Sequence, residues 1–400
     1  MTTEALSVDT LSVEASSAIR WSEDYFGGAW LVTRYADVER ALRDPRLSVR
    51  RTGGWVPAGA RTDGSLKPFR SLVARALLFL DAPDHGRIRS LMMGAFQPHA
   101  LQALGQKLRG QVRARLDGID ASTPFDFIAR VAQPVPAQVV AEMLGLTLEA
   151  ADTALRHATD IAAFVEHPCP DETLTQRAQR SALGMATLWR SWLEDEPPPH
   201  DPNSLFGRLL AAHRDGRIES REELLAQLVM LLFAGHETTR HLLGSALDAL
   251  MADPSMRERA AADPAVMRRA VREVLRHASP VRYTARRVAV PFEWHGQLLR
   301  RGDAVLLMLA EANRDAARFT APDQINLTRD EGVHLAFGVG PHVCIGAALT
   351  QLEVEIVLTE VLQRWPGLKR LPETAGGSVS EPIRSGLYQG WRSLWVQQQG

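Results

Sequence analysis

Apolar residues recur along most of this chain at intervals of three and four, the period of a helix with one buried face. On that spacing residues 36–42, 101–116, 135–144, 148–165, 174–193 and 266–276 are predicted helices. A further helix is predicted to start behind Ser220, a capping residue with Glu222 and Glu223 in the turn that follows, and to run to about Asp253. At 1.5 Å per residue it would be roughly 45 Å long. Its middle, residues 224–235, is apolar nearly all round, which places this helix at the centre of the molecule. Gly235, Glu237, Thr238 and Thr239 then interrupt it. A glycine, an acid and two hydroxyls midway along a buried helix cost propensity and desolvation, and such breaches of local rules gather at functional sites.

Shorter segments alternate with period two. Residues 30–34, 281–290, 292–299 and 304–309 read as strands and hairpins, and residues 385–396 are β-like. Residues 47–80 are irregular, and a loop that long in a compact domain is functional or disordered. Residues 164–170 break two helices and form a candidate pocket wall. No linker, repeat or low-complexity tract divides the chain. The predicted architecture is mainly α: a single domain over residues 1–400, with about 1–25 as an N-terminal tail and 26–400 as a helical body with a small β-rich side region.

Composition narrows the function. A formal charge of −1 argues against general polyanion binding, and so against nucleic acid. Two cysteines, Cys169 and Cys344, cannot make a disulfide framework and suit a reducing cytoplasm; Cys169, between two prolines, reads as incidental. The first 20 residues lack the apolar core of a signal peptide, and the longest apolar run is too short to span a bilayer.

Candidate chemistry concentrates around Cys344. Gly338, Gly340 and Gly346 surround it, and an apolar helical pattern follows at Ala347, Leu349, Leu352, Val354, Ile356 and Val357. Glycines let a backbone approach a flat ligand. A helix start offers free N–H groups and the positive end of a dipole, both of which favour thiolate over thiol. A lone cysteine is ordinarily a small buried hydrophobe. The whole string outweighs that reading: Phe337, Gly338, Gly340, His342, Cys344 and Gly346, as F-G-x-G-x-H-x-C-x-G, resemble the haem-binding loop of the cytochrome P450 family.

The resemblance extends from about residue 30 to 396. Ala234, Gly235, Glu237 and Thr238 fit the family's oxygen-binding motif, and Asp81, Pro83, His85 and Arg89 fit its propionate-binding helix. Glu273 and Arg276, about 70 residues before Cys344, match its core ion pair; residues 322–325 offer no clear arginine for that pair's third partner, which stays unassigned. Either Arg286 or Arg287 would be a further propionate ligand, and spacing back from Gly296 favours Arg286.

The resemblance implies a soluble, monomeric haem-thiolate monooxygenase of bacterial type. Its cofactor would be haem b, with Cys344 as axial ligand of the iron. Glu237 and Thr238 would organise proton delivery. His85, Arg89, Arg286 and His342 would hold the propionates, while Ala234, Gly235, Phe337, Gly338 and Gly346 would complete the cofactor site. One atom of O2 would enter a small organic substrate by hydroxylation or epoxidation. With no flavin, nicotinamide or iron–sulfur fingerprint in the chain, electrons would come from a ferredoxin and its reductase. Family analogy points to secondary-metabolite biosynthesis. The alternatives are a peroxide-driven peroxygenase, against which the intact Glu237 and Thr238 count, a non-catalytic haem sensor or carrier, and a helical protein without haem.

Met230, Phe233, Val281 and Arg282 are the pocket candidates, by spacing from Thr238 and Arg286. Arg282 has two readings. It reads an acidic group on the substrate, since its planar fork suits a carboxylate, or it points to solvent or pairs with an acid of the protein. In a strand Val281 and Arg282 would face opposite sides, so both line a pocket only if the segment is bulged.

Overall fold

The spine of the fold is the helix that starts behind Ser220. It spans Arg221–Ala252, and the Ser220 side chain accepts a hydrogen bond from the Glu223 N–H, satisfying one of the free donors at its start. The computed structural model describes residues 18–50, 74–166, 171–194, 201–372, 379–383 and 385–399. Among them, helices Pro134–Met143, Leu148–Glu166, Glu172–Glu194, Leu205–Arg214, Pro264–His277 and Ala347–Arg364 all pack on the central helix. Its first half, Leu224 to Phe233, belongs to one apolar cluster with Ile161, Trp189 and Phe206. Its second half, Leu242 to Leu250, belongs to another with Val271, Val357 and Val361. Being buried against both explains why it is apolar nearly all round.

Gly235 has a packing reason as well as a motif. A Cβ there would lie 2.5 Å from Val140 Cγ2, so the glycine lets helix Pro134–Met143 come close. Gly244 does the same for Ile128, at 2.8 Å.

The main sheet has five strands, in the order Ile19–Ser22, Ala29–Val32, Ala304–Met308, Tyr283–Val288, Leu47–Ser48. Ala29–Val32 runs parallel to Ala304–Met308; the other pairings are antiparallel. Strand Ala304–Met308 is buried at every position, as a central strand covered on both faces should be. A smaller sheet places Trp395–Gln398 between Phe125–Asp126 and Leu368–Arg370.

The predicted elements recur with ends moved by a few residues, and three corrections are needed. The chain enters the sheet at Ile19, inside the expected tail, because a four-residue strand alternates too briefly to register as a period. Helix Leu205–Arg214, capped by Ser204, and helix Pro254–Ala262, capped by Asp253, were not predicted. The second lies between two Asp-Pro steps that punctuate what otherwise reads as one broken stretch. Most of the irregular 47–80 segment, Cys169 and part of the 164–170 break lie outside the described residues. Among the described residues no helix is long and apolar enough to cross a membrane.

Candidate active site

The Cys344 loop is a tight turn that delivers its cysteine to a helix start. The Cys344 N–H donates to the Phe337 carbonyl at 2.9 Å, and the Val343 N–H to the Gly340 carbonyl at 3.1 Å. Gly338 and Gly340 take positive φ values of 65° and 78°, which L side chains rarely adopt. At Gly340 a Cβ would also lie 2.9 Å from Arg43 Cγ, so the loop sits directly on the end of helix Tyr35–Ala41. Gly346 precedes helix Ala347–Arg364. Cys344 is accessible, yet protein surrounds its sulfur closely enough that burial pushes the thiol up. The Gly346 N–H and the Arg89 charge pull it the other way and do not win. The helix-start argument therefore names real contributions but gives the wrong net sign for the protein alone; a metal-bound thiol is deprotonated outright.

Around this loop the fold gathers cations. Asp81 accepts from the Ser48 hydroxyl and from the Val49 N–H at 3.0 Å, tying the edge strand Leu47–Ser48 to the start of helix Asp84–Met92. That helix carries His85 and Arg89 one turn apart. The edge strand pairs with Tyr283–Val288, which carries Arg286. The His85 and His342 rings lie 3.9 Å apart between centroids. Burial pushes His342 down to about 4, helped by His85, Arg286 and Arg89 and opposed only by Asp81. Arg286 is buried and pushed down to about 10 by desolvation. Among the described residues its hydrogen bonds reach only Thr284 Oγ1, at 3.0 Å, and the Ala285 carbonyl, at 2.9 Å. Arg287, by contrast, turns outward to the Gly302 carbonyl at 2.8 Å.

Two guanidiniums, Arg89 and Arg286, and the His85 ring all bear on His342, with one already engaged acid beside them, and together they form a donor cradle for an anion. Two carboxylates beside an accessible sulfur are what a porphyrin dicarboxylate with a thiolate-bound iron would bring. The donor set therefore fits haem.

The central helix presents an accessible stripe at Leu231, Ala234, Gly235 and Thr238, spaced three and four apart in a stretch, residues 223–239, that is otherwise buried. Leu231 packs against the same apolar cluster as Ile345, the neighbour of Cys344. The Thr238 hydroxyl donates to the Ala234 carbonyl at 3.3 Å. Glu237 points elsewhere, into a buried cluster with His236, Arg240 and His241. Burial alone would raise its carboxyl, but the His236 hydrogen bond and the charges of His236, Arg240 and His241 hold it far below the usual carboxylate range. Arg240 and His241 were missed in the sequence, although they lie three and four residues after Glu237, the spacing of helical neighbours.

Glu273 and Arg276 meet in a bidentate pair at 2.9 and 3.1 Å, and the third partner is Arg329, whose Nε donates to Glu273 Oε1 at 3.0 Å. It lies beyond the segment searched, and a contact between residues 56 apart leaves no periodic trace. Asn313 ties this group to the Cys344 loop. Its carbonyl accepts from Arg276, its Nδ2 donates to Ser279, and its Oδ1 accepts from the Leu335 N–H at 2.6 Å.

The pocket candidates fare unevenly. Met230 and Phe233 are buried in the apolar core. Val281 makes an isolated bridge to Tyr388, ahead of the strand. Arg282 pairs with Glu311 at 3.0 Å, so its charge is answered within the protein, and the substrate-acid reading gives way to the pairing one.

The comparisons agree with this geometry. A family model described as cytochrome P450 matches residues 190–367. Cytochrome P450 107B1 of Saccharopolyspora erythraea is 33% identical over 345 residues, covering 85% of this chain and 83% of the relative. The chain belongs to the cytochrome P450 family. Another P450 relative, the epothilone C/D epoxidase of Sorangium cellulosum, is 30% identical over 365 residues, 90% of this chain and 85% of that one. The solved structure of epothilone D-bound cytochrome P450epoK superposes with a TM-score of 0.84 at 26% identity, covering 96% of this chain and 94% of that one. The P450 fold and a haem-dependent monooxygenase activity follow from that membership, and P450s of bacteria generally take their electrons from redox partners.

Proposed function

We propose that this P450 binds haem b through Cys344 and oxidises a small secondary metabolite in the cytoplasm, as a monomer supplied with electrons by a ferredoxin and its reductase. The observation that carries the site assignment is the donor cradle beside Cys344, above all Arg286, which is buried and hydrogen-bonds to no carboxylate among the described residues. When bound, the haem supplies reductive activation of O2, with one atom going to the substrate and one to water.

The chain's own residues do the rest. Cys344 ligates the iron, with the Gly346 N–H donating to its sulfur. His85, Arg89, Arg286 and His342 anchor the propionates; charge-assisted bonds of this kind are worth roughly 1.5–3 kcal/mol each. Phe337 and Gly338 line the sulfur side, and Ala234 and Gly235 the opposite side. Thr238, on the accessible stripe, would offer a hydroxyl to the oxygen site, and Glu237, the residue before it, whose carboxylate lies in the cluster with His236, Arg240 and His241, would be the acid of the relay. Apolar neighbours of the stripe, such as Leu231, exclude water. The names of relatives that act on complex natural products support a secondary-metabolite substrate. The Arg282–Glu311 pair argues that this substrate needs no free arginine at that position.

The deciding experiment is the reduced carbon monoxide spectrum of Cys344→Ser. The thiolate band should vanish together with oxygenation. A variant that kept the wild-type spectrum would overturn the ligand assignment.

A further inference from the structure

His236 is 1% exposed, and both of its ring nitrogens face acceptors. Nδ1 lies 2.9 Å from the Leu232 carbonyl, and Nε2 lies 3.1 Å from Glu237 Oε1. A neutral imidazole has one N–H and one lone pair, so it can satisfy only one of these. The other contact would set lone pair against lone pair in a buried site. The geometry needs one proton more than a neutral histidine and a carboxylate provide, and its place is between Nε2 and Oε1.

The rest of the cluster fixes which group carries it. Glu237 Oε2 accepts from Arg240 Nε at 3.0 Å and Nη2 at 2.7 Å. Arg240 Nη2 also lies 3.4 Å from His241 Nε2. Arginine only donates, so His241 Nε2 is an acceptor and its proton sits on Nδ1, which is buried and has no partner among the described residues. His241 is therefore a neutral ring with a spare N–H. The charges acting on Glu237 and His241 all come from this one helix. From outside it, the Tyr388 ring lies 5.2 Å from His241, and the backbone of Gly390 closes over the same ring. With Arg240 and His236 both donating to it, Glu237 is the carboxylate and His236 the cation.

We propose that His236 is the proton store behind Glu237: a buried imidazolium that passes its Nε2 proton to Glu237 Oε1, making the relay a set of three, His236, Glu237 and Thr238. The transfer balances without rearrangement. The N–H bond at Nε2 breaks and an O–H bond forms at Oε1, leaving His236 neutral with its remaining proton on Nδ1, still donating to Leu232. A proton from solvent must then return to Nε2 to restore the imidazolium; the most exposed side chain of the cluster is Arg240, at 12%. This rests on the proposed role of Glu237 and Thr238 in proton supply.

The test uses the ferrous carbon monoxide complex of the holoprotein, which is diamagnetic, with histidine nitrogens labelled by 15N. The His236 signals are identified by their absence in His236→Gln. At pH 7.5 both should have imidazolium character, and Glu237→Gln should return the ring to a neutral tautomer. Two neutral-type signals in the wild type would overturn the proposal, and that measurement needs no variant to be active. The second readout is coupling: His236→Gln should bind substrate normally but lower product formed per NADPH by about tenfold or more, with peroxide as the balance. An imidazolium with normal coupling in His236→Gln, while Thr238→Ala leaks peroxide, would overturn the role of His236 and leave the Glu237–Thr238 reading standing. Normal coupling in both variants would overturn both.

Discussion

Among the carboxylates buried beside cations, Glu273 and Glu237 have different surroundings. Glu273 accepts from Arg276 twice, from Arg329 and from the Asn326 N–H, so both of its oxygens are fully used. The two arginines spend their other donors on carbonyls of Asn313, Pro322, Gln324, Thr320 and Ala321 and, from Arg329, on the Glu331 carboxylate. That cluster ties a helix to a long loop. The charged and hydrogen-bonding partners of Glu237 among the described residues all come from one helix, and its cluster leaves the His241 Nδ1–H with no acceptor among the described residues. A satisfied network that joins segments holds the fold together. A network confined to one helix, with a donor to spare, joins nothing and is free to change its protonation. The same chemistry serves architecture in one place and proton handling in the other.

The largest expected effect tests the architectural half. Glu273→Ala leaves Arg276 buried without a counter-charge, while Arg329 keeps only Glu331 among the described residues, and should cost about 3–5 kcal/mol in urea unfolding. If Glu237→Gln cost as much, the contrast would fail, because both clusters would then be structural.

Next comes acid sensitivity, which samples both regions. Burial pushes His241, in the Glu237 cluster, down to about 3, and His334, beside Glu273 and Arg276, down to about 4. Both lie below the unfolded value of about 6.5, so the unfolded chain binds more protons in between. The stabilising contribution is complete above pH 6.5 and is lost as pH falls toward 4 for His334 and toward 3 for His241. Each should contribute a slope of about 1.4 kcal/mol per pH unit, on the order of 3 kcal/mol at most by pH 4. Stability measured from pH 7 to 4 should fall accordingly, and His241→Gln should remove one proton from the slope. An unchanged slope would mean that His241 is not held neutral.

A smaller effect probes how the Glu237 cluster is positioned. Gly235→Ala adds a Cβ against Val140, and the overpacking, less the gain in helix propensity, should cost about 1–2 kcal/mol. Val140→Ala in the same chain should recover most of it, and absence of recovery would show that something other than that contact sets the spacing.

The smallest effect concerns a third buried carboxyl. Glu353, on helix Ala347–Arg364, is 1% exposed with an oxygen unpartnered among the described residues, and burial pushes it well above the usual range. It is held neutral where the unfolded chain would ionise, so it lowers stability increasingly as pH rises above its unfolded value. Glu353→Gln should be near neutral at pH 4 and mildly stabilising at pH 8. Destabilisation at pH 8 would reveal a cation that this carboxyl pairs with.

What the sequence made legible was what repeats or what forms a dense string. The central helix could be read from its all-round apolar run, and the Cys344 loop from six positions in ten residues. His85 and Arg89 could be paired by helical spacing. Arg329, Asn313 and the Arg282–Glu311 pair could not, because they join segments that only the folded chain brings together. The burial of the Cys344 thiol was not legible for a related reason: a helix start is local and visible, whereas burial by distant segments is not.

The parallel pairing of Ala29–Val32 with Ala304–Met308 also sets an order in time. The Trp30 indole donates to Asp303, 273 residues away, and the Tyr35 hydroxyl to the Val333 carbonyl, 298 residues away. A ribosome releases the first strand long before its neighbour exists, so this end of the protein must wait, with Leu31 and Val32 uncovered, until some three-quarters of the chain has been made. The helices around Arg221–Ala252 can assemble meanwhile from shorter-range contacts. A segment made early is therefore among the last to find its place, and its apolar residues need shielding in the meantime.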